Sequence, residues 1–124
     1  MFIWYKILTV IILTGKLTFY NSGIMEEVYT NRIAYQHVTP CVECIGMIAV
    51  LDCQYLNKLA WLKVNNKLLG PLLIVDCAAQ HDYKRLLQRG LVAEIDYMNA
   101  MKLNMNGPLA VTVYIYERRI LYDY

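Results

Sequence analysis

Six short apolar runs with strand character punctuate this chain, and they stand too close together to be joined by full crossover helices. The runs are Lys16–Tyr20, Gly46–Cys53, Leu59–Val64, Pro71–Cys77, Leu91–Asp96 and Leu109–Tyr116. The last is the clearest. Leu109, Val111, Val113 and Ile115 alternate with Ala110, Thr112, Tyr114 and Tyr116, a period of two. Many short strands in one small domain leave exposed sheet edges, and closing the sheet on itself removes them. The pattern predicts a mainly β fold: a small closed or nearly closed barrel. A length of 124 residues and 58% apolar content fit one domain with a modest core and argue against disorder.

Turn signals separate the runs at Asn21-Ser22-Gly23, Asn65-Asn66-Lys67 and Gly107-Pro108. Three short helices are predicted between them. Ile24–Tyr35 carries Met25, Val28 and Arg32 on one side and Glu26 and Glu27 in its first turn. Gln80–Gln88 packs through Leu86 and Leu87, with Gly90 just past its end. Tyr97–Met105 presents Met98, Met101 and Met105 as an apolar stripe, which is the pattern of core packing rather than of a cofactor site. No cofactor is implied. Trp61 is expected in the core.

Two strands each deliver an aspartate at their C-terminal end: Asp76 after Leu73-Ile74-Val75, and Asp96 after Ala93-Glu94-Ile95. A rigidly held carboxylate at a barrel rim is the least that glycan-cleaving chemistry needs. Asp96 also precedes a helix directly, which makes it suited to be an N-cap. Those two roles compete, because a carboxylate that accepts backbone N–H bonds is a poorer acid.

Four cysteines stand at positions 41, 44, 53 and 77. Cys41-Val42-Glu43-Cys44 is a CxxC, compatible with a zinc half-site or a redox pair. Cys53 and Cys77 both follow an aspartate at the end of an apolar run, and two such strand ends lying side by side can form a disulfide. Zinc ligation and free buried thiols are the alternatives. The first 14 residues are nearly all apolar around Lys6, and read as a signal-like or anchoring segment or as a buried first strand. The segment is short for a membrane span, so membrane association through residues 1–14 is expected only as an anchor. A net charge of +2 with scattered Lys and Arg gives no basis for nucleic-acid binding.

Several segments, taken in order, resemble the rare lipoprotein A-like and expansin-like proteins. Gly15-Lys16-Leu17-Thr18-Phe19-Tyr20 is similar to the family's opening strand. Leu73-Ile74-Val75-Asp76-Cys77-Ala78 is similar to its strand ending in Asp-Arg-Gly-Pro. Ala93-Glu94-Ile95-Asp96-Tyr97, with Ala100 and Leu103, is similar to its Ile-Asp-Leu-Ser segment, and Gly107–Val113 to its closing strand. The resemblance implies a six-stranded double-psi β-barrel over residues 15–124, with two or three short helices. It also implies cell-wall polysaccharide or peptidoglycan as partner. On it, Asp96 is the catalytic acid and Asp76 its neighbour, while Thr18 and Tyr20 line a substrate groove. Tyr97 and His81 are further candidates for sugar contact. The sequence departs from the family after Asp76, where Cys-Ala-Ala replaces Arg-Gly-Pro. His37 is the nearest counterpart of the family histidine, in a different context.

Three classes of function follow. The chain is expected to be an exported wall-glycan protein, in the lytic-transglycosylase manner if it is an enzyme. The alternatives are a non-catalytic carbohydrate-binding or structural module, and a cytosolic CxxC metal or redox protein.

Overall fold

The structure is a computed structural model and describes residues 9–118. Among the described residues it contains strands β1 (Ile11–Phe19), β2 (Gly46–Val50), β3 (Leu59–Val64), β4 (Lys67–Cys77), β5 (Leu91–Ile95) and β6 (Leu109–Tyr116). The helices are α1 (Ile24–Ala34), α2 (Gln80–Gln88) and α3 (Tyr97–Lys102), with a 3₁₀ turn at Cys53–Tyr55. The strands close into a barrel in the order β1-β5-β2-β4-β3-β6. The mainly β, closed six-stranded fold expected from the strand spacing is present.

Two of the six neighbouring pairs, β1 with β5 and β2 with β4, run parallel; the other four run antiparallel. The connections permit this. β1 and β5 are parallel across most of the chain, and β2 reaches β4 by way of β3, so neither pair needs a local crossover. Each parallel pair carries a register shift, between Lys16 and Leu17 and between Ile48 and Ala49.

Alternation sorts the side chains. Leu17, Ile48, Leu62, Ile74, Ile95 and Val113 point inward and are fully buried, and with their neighbours they fill the barrel. A second cluster lies outside the wall, where Met25 of α1 packs on Ala49, Leu59, Leu73 and Val75. Burying such side chains contributes roughly 1.5–3 kcal/mol each. Gly70 lies beneath Trp61; a Cβ there would come within 2.6 Å of the indole. Trp61 is therefore half-buried on the outside of the wall, and its indole N–H donates to the Tyr116 hydroxyl at 2.9 Å.

Several element boundaries differ from the sequence reading. β1 starts at Ile11, so residues 11–14 of the N-terminal apolar segment pair with β6; residues 1–8 lie outside the described residues. The run expected as Gly46–Cys53 ends at Val50, because Asp52 caps the following 3₁₀ turn by accepting from the Gln54 amide. α3 is shorter than expected, and of the expected methionine stripe only Met105, just past its end, lies in the core. Met98 and Met101 are 63% and 39% exposed, whereas Asn99 and Ala100 are buried. The cap at Asp96 sets this rotation by drawing the Asn99 amide and side chain inward.

Candidate functional site

Outside the barrel wall, four side-chain positions form one row across four strands. Thr18 of β1 is in register with Glu94 of β5, Glu94 with Ala49 of β2, and Ala49 with Asp76 of β4. The inward neighbours of Thr18, Ala49 and Glu94, namely Leu17, Ile48, Val50, Ala93 and Ile95, belong to the core, so these three face outward. The register shift between Ile48 and Ala49 brings Asp76 to the same side, where Tyr20 and Arg32 reach it. The backbones that carry Glu94 and Asp76 are two strands apart, about 9.5 Å. Ala49 stands between them, and its small side chain leaves the floor low.

Tyr20, one residue past β1, continues the ladder by donating its amide to the Ile95 carbonyl at 3.0 Å. Its ring crosses the row, and its hydroxyl donates to Asp76 Oδ2 at 2.6 Å. Arg32, in the last turn of α1, donates through its NH2 nitrogen to Asp76 Oδ1 at 3.0 Å. The same guanidinium donates through its NH1 nitrogen to His37 Nδ1 at 3.1 Å. The Cys77 amide also donates to Asp76 Oδ1, at 2.9 Å. Asp76 is thus fixed by three donor contacts from three segments of chain, and Tyr20, Arg32 and Asp76 form one unit.

A cleft of about 50 Å³ opens beside this unit, lined by Tyr20, Ala49, Cys77, Leu86 and Glu94 among others. One wall is α2, which packs on β5; on the far side of the row α1 packs on β4. The Glu94 carboxyl is held above its ordinary value of 4.5, chiefly because burial penalises its charge and also because Asp76 is nearby. The adjacent Thr18 hydroxyl pulls the other way. Among the described residues, buried Thr18 Oγ1 makes no hydrogen bond of full geometry, so its pull on Glu94 is that of a neighbouring dipole. Tyr20 is pushed strongly upward by burial first, then by its bond to Asp76 and the charges of Asp76 and Glu94, so it stays a hydrogen-bond donor at any ordinary pH.

The residues singled out in the sequence fall in different places. Asp76, Tyr20 and Thr18 are brought together. Asp96 is not with them. It is 3% exposed and N-caps α3, accepting from the Asn99 amide at 3.2 Å and from the Asn99 side-chain nitrogen at 2.9 Å. It also accepts from the Met47 amide at 3.1 Å, which joins the start of β2 to the end of β5. A Cβ on Gly46 would lie 2.6 Å from Asp96 Oδ1, so a glycine is needed where the two segments meet. The expectation of Asp96 as a groove-facing acid is therefore corrected: backbone donors and Asn99 enclose it. Tyr97 packs beside Phe19, ring centroids 6.3 Å apart, away from the row. His81 is 83% exposed and touches Asp82.

Glu94 is the residue that sequence reasoning missed. The signal was available: Ala93 and Ile95 point inward, so alternation turns Glu94 outward beside Thr18. Reading Asp96 as a cap then leaves Glu94 as the carboxylate the strand can offer.

The cysteines form two disulfides, Cys41–Cys44 and Cys53–Cys77. The second pairing is the one expected, and it anchors the residue after Asp76. The first removes the CxxC as a zinc half-site in this structure. Among the described residues no group of three or more His, Cys, Asp or Glu side chains is placed to hold a metal ion. Two disulfides fit an oxidising environment. Among the described residues no helix is long and apolar enough to cross a membrane.

Compared with known proteins, the chain matches no family model, no curated protein and no solved structure. The functional reading therefore rests on the geometry of the cleft.

Proposed function

We propose that the chain is an exported protein that binds and cleaves cell-wall glycan, with Glu94 as its proton donor and Asp76 as the fixed negative charge beside it. The observation that carries this reading is the row Thr18–Glu94–Ala49–Asp76. It places two carboxyl groups on either side of a small floor, in environments that differ as acid and anion must. Burial keeps Glu94 protonated to higher pH than an ordinary glutamate, which suits a general acid. Asp76 is held in place by Arg32 and Tyr20.

In the proposed step Glu94 gives its proton to the glycosidic oxygen as the C–O bond breaks. A hydroxyl of the same sugar attacks the anomeric carbon and returns its proton to the Glu94 carboxylate, so one acid serves both halves. Asp76 stabilises the positive charge that develops on the ring. The double-psi arrangement and the kinship with rare lipoprotein A-like and expansin-like proteins belong to the same proposal. Their support is the two parallel pairs within a six-stranded barrel and the order of the motifs. Export is supported by the disulfides.

Purified peptidoglycan strands test this reading. The wild type should release soluble products, Glu94→Gln should not, and both should fold alike. Turnover undiminished in Glu94→Gln would overturn it. The size of the cleft favours a second reading, a non-catalytic binder on the same surface: about 50 Å³ takes a hydroxyl or a few waters, not a sugar ring. Retention on insoluble wall polymer without product release is its expected result.

A further inference from the structure

A ligand pocket normally encloses about 300–1,000 Å³, and the cleft beside Glu94 measures about 50 Å³. On the proposed glycan reading, on which this inference rests, most of a bound chain must therefore lie over the protein surface. Its affinity then has to come from contacts outside the cleft, because remote binding energy is what positions a substrate at the reacting centre. The surface continuous with Asp76 carries a feature suited to that purpose. Tyr35, just after α1, is 74% exposed, and its ring stacks on the exposed His37 ring with centroids 6.1 Å apart and planes 27° apart. The rings are brought together because Gln36 between them adopts a left-handed backbone, φ 60°. That conformation is uncommon for a residue with a side chain, and it persists where its surroundings impose it. Here the His37 amide donates to the Arg32 carbonyl at 2.8 Å, and the Gln36 amide donates to the Ile33 carbonyl at 3.0 Å.

The pair is wired to the site. His37 Nδ1 accepts from the guanidinium that holds Asp76. One Arg32 side chain thus sets the spacing between the aromatic pair and the carboxylate row. We infer that Tyr35 and His37 form a stacking subsite for a pyranose ring of a glycan chain that also reaches the cleft at Glu94. The chemistry fits an uncharged sugar. The aromatic faces take the C–H face of the ring, while the Tyr35 hydroxyl and the imidazole edge meet its hydroxyls. Arg32 is already engaged by Asp76 and His37, so its charge is not free to meet a phosphate backbone.

The test titrates soluble β-linked N-acetylglucosamine oligomers into the disulfide-bonded protein and follows the Tyr35 and His37 ring signals by NMR. The wild type should bind with shifts at both rings. Tyr35→Ala should bind roughly three- to tenfold more weakly, with an unchanged melting temperature, and Tyr35→Trp should recover the affinity. Equal binding by wild type and Tyr35→Ala would overturn the subsite and leave the glycan reading standing. Failure of the wild type to bind any glycan would remove both. Binding of single-stranded oligonucleotides in place of glycans, with the same dependence on Tyr35, would also overturn it by assigning the platform to a base.

Discussion

Glu94 and Asp96 are two residues apart at the end of one strand, yet their surroundings give them opposite capacities. Asp96 is enclosed by the amides of Met47 and Asn99 and by the Asn99 side chain. Every one of those contacts fixes the carboxylate in place. Glu94 faces outward into a partly apolar cleft beside another carboxylate, and its burial disfavours the charge. The lesson is that position near a strand end does not select the reactive acid; the supply of donors does. Backbone N–H groups convert a carboxylate into a structural joint, and their absence leaves one able to exchange a proton.

Substitution should separate the two. On the proposed mechanism, Glu94→Gln lowers glycan turnover by about 10²–10⁴, the usual contribution of a general acid, with little loss of stability. Asp96→Ala is expected to do the reverse. Losing the cap and leaving buried donors without a partner should cost about 3 kcal/mol, read as a melting temperature lower by roughly 10 °C. An Asp96→Ala protein as stable as the wild type would break the contrast. Tyr20→Phe tests the tie between the cleft and Asp76. Removing a hydrogen bond to a charged group should cost about 1.5–2 kcal/mol in chemical denaturation, and turnover should fall further than stability accounts for.

The smallest effect is the dependence of stability on pH. Glu94 is raised in the folded protein, so its contribution favours folding fully at pH values below its unfolded pKa. That contribution is lost as pH rises through the folded value. The stability of Glu94→Gln relative to wild type should therefore grow as pH rises from about 4 towards neutrality. A constant difference across that range would mean that burial does not hold the carboxyl as described.

The barrel was largely legible in the sequence because period-two alternation and turn residues act locally. Leu59–Val64, Gln80–Gln88 and Leu109–Tyr116 fall where their patterns place them. The site was legible only in part. Asp76, Tyr20 and Thr18 stood out as residues, but Arg32 reads as one more cation at the end of a helix until α1 is laid on β4. Of the expected methionine stripe Met105 reaches the core, but Met98 and Met101 do not, for a related reason: the inward donors of Asn99, recruited by Asp96, outweigh those two side chains in setting the rotation of α3. Glu94 was overlooked because the motif drew attention to the aspartate two residues later, although alternation alone faces Glu94 outward.

The bond from Tyr20 to Asp76 joins positions 56 residues apart, and that from Arg32 to Asp76 joins positions 44 apart. Thr18 meets Glu94 across a parallel pairing whose partners are separated by most of the chain. Contacts of such long sequence separation form slowly, since the loops they close must be ordered first. No stretch of chain shorter than Thr18 to Glu94 holds all of these groups. The ability to engage a ligand would consequently emerge only once β1, α1, β2, β4 and β5 have come together, and its recovery during refolding would serve as a clock for that assembly.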